Sequence, residues 1–177
     1  RIADPAVRFW YRFVQPNRSR LETGGADGAL DVWQHHIEPL LNDYMGKMFE
    51  RICREAFTRH HRAWGYAGAS ALSRWEGRDR NRRSIELDLV ARLDDGRMLT
   101  GEFKWSSTPV DADVHTTLMR NLEDLGASGH GWAKDALSPQ HSAGHLYISA
   151  GGFSQAFRAR AATDPRLQLL TLDDLYR

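Results

Sequence analysis

At 177 residues the chain is long enough for one ordinary domain with a hydrophobic core, plus a helical extension. Its 41% hydrophobic and 27% charged residues are those of a soluble globular protein, and no stretch approaches the roughly 20 apolar residues of a membrane span. A formal charge of +1 argues neither for nor against nucleic acid, while the single cysteine, Cys53, excludes an intramolecular disulfide and a cysteine-built zinc site. With no signal peptide, a cytoplasmic location is expected. Arg1 opens the chain without a methionine, in sequence that reads as structured, so a domain of a longer protein is expected.

Asp4-Pro5 reads as a helix start, with Asp as N-cap and Pro at the first helical position. Ala6 to Val14 follows as an apolar helix stopped by Pro16-Asn17, with its aromatic residues packed on the core or a neighbouring domain. Residues 22–31 are rich in glycine and acid and read as a loop. The subdomain boundary falls there, giving an N-terminal helical extension and loop over 1–38 and a second domain over 39–177.

A long helix is predicted from Pro39 to Arg62, with Leu41, Met45, Met48, Phe49, Ile52, Ala56 and Phe57 on its buried face. Leu72 to Trp75 reads as a short strand and Asp79 to Arg83 as a polar loop. Two strands, Ile85–Leu93 and Arg97–Trp105, flank Asp94-Asp95-Gly96. A helix over Val110–Leu125 precedes a long loop over Gly126–Gly144. His145–Ser149 is a strand, Phe153–Ala162 a helix, Leu167–Leu170 a last strand, and Asp173 onward a terminal turn. The order is that of a mixed α/β domain without internal repeats.

The hairpin carries the chemistry. Side chains alternate along a strand, so Glu86 and Asp88 share one face, opposed by Ile85, Leu87, Leu89 and Ala91. On the next strand Glu102 and Lys104 share a face, opposed by Phe103 and Trp105. A two-residue turn would set Asp88 against Phe103 and split the charges between faces. A three-residue loop with Gly96 in the left-handed conformation pairs 93 with 97 and 88 with 102, and that loop is predicted. Asp88 and Glu102 on opposite faces of the sheet would end the metal-site reading. Two carboxylates with a Glu-x-Lys suit a hard divalent cation and a lysine that orients water. The plainer reading is a solvated Glu-Lys pair, worth ~0–1 kcal/mol. Glu50, on the long helix beside its buried face, either points toward the sheet or pairs with Arg54 one turn on.

The chain resembles a known family over nearly its full length. The resemblance rests on Asp4-Pro5, on Arg8-Phe9-Trp10-Tyr11-Arg12-Phe13-Val14 and on Pro16-Asn17-Arg18. It continues through Gly46, Phe49-Glu50, Cys53-Arg54-Glu55, Arg74-Trp75 and Glu86-Leu87-Asp88-Leu89-Val90-Ala91. It ends with Gly101-Glu102-Phe103-Lys104-Trp105 and Gly152-Phe153-Ser154. These residues are similar to the C-terminal domain that follows the ATPase and winged-helix parts of archaeal-type AAA ATPases, a divergent branch of the PD-(D/E)xK nuclease superfamily. The resemblance implies a restriction-endonuclease-like αβββαβ core and a divalent-metal-dependent endonuclease site acting on DNA. It further implies that Asp88, Glu102 and the backbone carbonyl of Phe103 hold magnesium or manganese, with Glu50 as an outer ligand and Lys104 as the catalytic lysine. Glu86 would be a further acid rather than a direct ligand. The helix over Val114–Leu125 lacks the Gln-x-x-x-Tyr signature of some DNA-end-processing relatives.

Arg78, Arg80, Arg82 and Arg83 form a basic loop that either tracks a phosphate backbone or is balanced by Glu76 and Asp79. His35-His36, His60-His61, His141 and His145 lack a zinc pattern and read as surface or core histidines. No phosphate-binding glycine loop is present, so ATP would be bound by the ATPase part of the longer protein. Partners in this reading are DNA, that ATPase, and other copies of the chain. The alternative, from a different class, is a catalytically silent module that docks nucleic acid or ATPase subunits.

Overall fold

The structure, a computed structural model, describes residues 4–176. It divides into two compact units, Arg1–Met48 and Phe49–Arg177, which meet within one helix. No helix among the described residues is long and apolar enough to cross a membrane.

The first unit is helical. Asp4 caps α1 (Pro5–Phe9), its carboxylate accepting from the amides of Ala6 and Val7 as the sequence predicts. A π-helical segment, Trp10–Val14, and a 3-10 turn, Gln15–Asn17, carry the chain into α2 (Arg18–Thr23). Pro16 therefore does not stop the helical run. It occupies the first turn of a new segment, where its missing N–H is not needed. Residues 22–31 are not a loop: α3 (Gly25–Val32) follows α2 across a break at Gly24. Phe13, Val32 and Ile37 form the core of this unit, flanked by Phe9, Leu21 and Tyr44. Trp10 and Tyr11 are about half exposed and do not join this core.

Helix α4 (Glu38–His60) runs on into the second unit, where Phe49, Cys53, Ala56 and Phe57 are buried. One mixed sheet follows, of β1 (Ala69–Arg78), β2 (Ser84–Leu93), β3 (Met98–Lys104), β4 (Ser142–Ser149) and β5 (Leu167–Thr171), in that spatial order. The first three strands are antiparallel; β4 and β5 join in parallel. Parallel pairing requires crossovers, supplied by α5 (Asp113–Ala127) with α6 (Gly131–Leu137), and by α7 (Gln155–Thr163). The expected loop over Gly126–Gly144 thus contains α6, whose Ala133 and Ala136 are buried. Two cores cover the sheet. One joins α4 to Leu89, Ala91, Leu93, Leu99 and Phe103, and the other joins α5 to Ile85, Leu87, Val90, Met98 and Tyr147. The order α4-β1-β2-β3-α5-β4 is a restriction-endonuclease-like αβββαβ core.

The hairpin has the predicted register. Leu93 N–H reaches Arg97 O at 2.9 Å, Gly96 takes φ +86°, and pairing runs from Arg92↔Met98 to Leu89↔Gly101. At Gly101 a Cβ would meet Leu146 O at 2.4 Å, so only glycine lets β4 approach. Gly101→Ala should therefore lower stability by about 1–3 kcal/mol, read as a lower denaturant midpoint at constant slope.

Candidate active site

Strict alternation along β2 fails at one place, and the site lies there. Between Ser73↔Val90 and Trp75↔Leu87, β2 uses one residue more than β1. This bulge falls in the stretch containing Asp88 and Leu89. It explains why Ile85 and Leu87 pack toward α5 while Leu89 and Ala91 pack toward α4. The single apolar face expected for residues 85–91 is split between the two layers. A compensating bulge in β1 lies between Ser70 and Ser73, where Ala71 takes φ +50°.

The bulge re-aims Asp88. The β2–β3 ladder ends at Leu89↔Gly101, and the next free donor, Phe103 N–H, reaches Asp88 Oδ2 at 2.9 Å. The carboxylate thus occupies the seam where β2 and β3 part, rather than lying plainly on one face. Carboxylate oxygens of Glu50, Glu86 and Asp88 converge there, all within 4.8 Å of one another. Glu102 is not part of that group. Its Oε2 lies 2.6 Å from Lys104 Nζ.

Glu102 and Lys104 line a hollow of about 680 Å³ together with Glu86 and with Asp113, Val114, Thr117 and Asn121 of α5. Glu86 therefore belongs both to the convergent carboxylates and to the Glu102–Lys104 hollow. The resemblance implies Glu86 as a further acid rather than a direct ligand, and its carboxylate lies in the same group as those of Glu50 and Asp88. On β4, Ser149 pairs in register with Lys104; its Oγ is buried without a hydrogen-bond partner among the described residues.

Two arginines face the acids. Arg54 lies 3.7 Å from Glu50 and donates to the Asp88 carbonyl at 3.3 Å. Arg74 donates through Nε to Glu86 at 2.6 Å and also contacts it through Nη2. Both readings of Glu50 are thus realised together: it pairs with Arg54 and also points to the sheet.

Burial, then the neighbouring Asp88, raises the Glu50 carboxyl above its usual range. Burial also raises Asp88, opposed by the Phe103 N–H and Lys104. Glu102 is pushed up to about 7, chiefly by burial, with Lys104 pulling down and Asp88 pushing up. For Lys104, burial works to lower the pKa, but the charges of Glu102, Asp88 and Glu50 raise it overall, so its ammonium is secure at neutral pH.

In the basic loop, the buried Asp79 accepts from the amides of Asn81 and Arg83 and holds the turn, with Arg82 at φ +63°. Arg83 is engaged internally, by Asp79, Asp124 and Asn121. Arg78, Arg80 and Arg82 are exposed, and none has an ion-pair partner among the described residues. His145 is a core residue, sharing a 2.8 Å hydrogen bond with Thr100.

An oxygen-only group of three carboxylates suits a hard cation such as magnesium or manganese better than zinc. Fold and site together define a mixed α/β domain with clustered acids beside a lysine. Residues 10–116 match the model of the family DUF234, archaea bacterial proteins of unknown function, and the chain belongs to that family. No curated protein matches it. Among solved structures, it is similar to a repair endonuclease from Pyrococcus abyssi, with 11% identity over 70% of this chain and 46% of the other, at a TM-score of 0.42. It is also similar to a protein of unknown function, AF1548, with 16% identity over 71% of this chain and 60% of the other, at a TM-score of 0.44. The chain thus spans less than two thirds of the length of either structure.

The raised Glu102 pKa makes stability depend on pH. An unfolded glutamate ionises near 4.5, whereas the folded one keeps its proton to about 7. Its contribution is full below 4.5 and is lost as pH rises through 7, a change on the order of 3 kcal/mol. The buried His115 and His145, lowered to about 4 and 3 by burial, act in the opposite sense below pH 6.5, so the Glu102 contribution is read as a difference: the Tm of the wild type minus that of Glu102→Gln should fall between pH 5 and 8.

Proposed function

We propose that this domain is a divalent-metal-dependent phosphodiesterase of the endonuclease type, acting on DNA. The observation that carries this reading is the convergence of Glu50, Glu86 and Asp88 oxygens at the seam of β2 and β3, beside the Glu102–Lys104 pair. Glu50, Glu86 and Asp88 would hold magnesium or manganese, with Glu102 adjoining through Glu86. The chemistry that such a cation supplies when bound is polarisation of the scissile phosphate and activation of water. Asp88 is oriented for its role by the Phe103 amide, which fixes one of its oxygens and leaves the other to the cluster. Lys104 keeps its positive charge and, released from Glu102, donates hydrogen bonds to a phosphate oxygen where negative charge develops. The hollow lined by Lys104, Thr117 and Asn121 would take the strand, and Asn121 hydrogen-bonds Arg83 at the base of the basic loop. Arg78, Arg80 and Arg82 would then meet phosphates further along. The sequence resemblance supports coupling to an AAA-type ATPase in a longer protein.

A second reading is favoured by one observation: the chain's own cations already engage the acids, Arg74 at Glu86 and Lys104 at Glu102. In that reading the domain keeps the fold but docks nucleic acid or ATPase subunits without cutting.

Cleavage of plasmid DNA with manganese distinguishes them. The wild type should nick the plasmid, and Asp88→Ala and Lys104→Ala should each lower the rate at least about a hundredfold. Activity that survives both substitutions would place the chemistry elsewhere. A wild type that binds without nicking would support the silent module.

A further inference from the structure

A second charged surface lies wholly within the first unit. Arg8, Tyr11 and Arg12 face Asp43, Tyr44 and Lys47 across a hollow of about 570 Å³. Its construction follows from the aromatic residues beside it. Phe9 and Phe13 pack against each other and against Tyr44, with ring centroids 5.0–5.9 Å apart. The Tyr44 hydroxyl donates to Pro5 O at 3.1 Å. These contacts turn Phe9 and Phe13 inward and leave Arg8, Tyr11 and Arg12, at helical spacing, on the outer face.

Two features of this face call for a ligand. Arg8, Arg12 and Lys47 have no ion-pair partner within 4.0 Å among the described residues, and Asp43 is the one acid lining the hollow beside them. Tyr11 is 53% exposed and lines the same hollow as the two arginines, where an unburied aromatic gains nothing from the fold. Cations alone would serve any polyanion, duplex DNA included. A ring held open among cations instead suits unstacked bases on a phosphate backbone.

We propose that this hollow binds single-stranded nucleic acid, with backbone phosphates on Arg8, Arg12 and Lys47 and a base stacked on Tyr11. The site is separate from the carboxylate cluster and does not depend on cleavage there. It would raise local substrate concentration for any chemistry elsewhere in the chain.

Fluorescence anisotropy of a labelled oligothymidylate, titrated with the full chain over a range of salt concentrations, tests this. Arg8→Ala with Arg12→Ala should weaken binding about tenfold and reduce the log–log salt slope by about 1.4, as two lost single-strand phosphate contacts require. Tyr11→Ala should weaken binding about tenfold with the slope unchanged, and Tyr11→Phe should restore it. Arg158→Ala, which removes an exposed cation on α7 outside both sites, should bind as the wild type does, which shows that the loss belongs to this hollow. The proposal is overturned if the wild type does not bind the oligonucleotide or if these variants bind unchanged. It is equally overturned if blunt duplex binds as tightly with no dependence on Tyr11, or if an acidic peptide displaces the oligonucleotide from Arg8 and Arg12 in preference to it.

Discussion

Phe103 donates its amide hydrogen to a carboxylate instead of to a neighbouring strand, and the site is organised around that substitution. An antiparallel ladder would satisfy this donor with a carbonyl of β2. Here Asp88 Oδ2 takes it at 2.9 Å, the pairing stops at Leu89↔Gly101, and the strands part. A buried amide left unpaired would cost about 1–3 kcal/mol, so the bond both permits the gap and holds the aspartate in it. The extra residue in β2 is what lets Asp88 reach the seam.

The gap gathers charge that a sheet interior normally rejects. Glu50, Asp88 and Glu102 are all raised in pKa, with burial as the leading cause in each. Such an arrangement persists only with compensation, which Arg54, Arg74 and Lys104 supply from three different elements. The fold does not rest on these ion pairs alone, since α4 meets the sheet through the apolar cluster of Phe49, Cys53, Leu89 and Phe103. A site balanced in this way can exchange an internal pairing for an external ligand.

Much of this was legible in the residues. Gly96 after two aspartates specified a three-residue hairpin loop, and the loop set the register of β2 against β3. The apolar stripe from Met48 to Phe57 specified the buried face of α4, and with it the approach of Glu50. The bulge was not legible, because nothing in Leu87-Asp88-Leu89-Val90 distinguishes an extra residue from a regular strand. The closeness of Glu86 to Glu50 was not legible either, since regular alternation gives no measure of how far a helix carboxylate reaches. Glycine and acid over 22–31 suggested a loop, yet tertiary packing of Val32 holds α3 in place. Of the aromatic run 9–13, expected on the core or a neighbouring domain, Phe13 is buried, while Trp10 and Tyr11 in the π-helical segment lie outside.

Three carboxylates from α4 and the bulged strand converge as one candidate cation site. Calorimetric titration with manganese measures this directly, apart from any catalysis. The wild type should bind with a defined stoichiometry, and Glu86→Gln, which leaves the Asp88–Phe103 bond intact, should weaken binding at least about tenfold. Undiminished manganese binding by Glu86→Gln and by Glu50→Gln would contradict the claim.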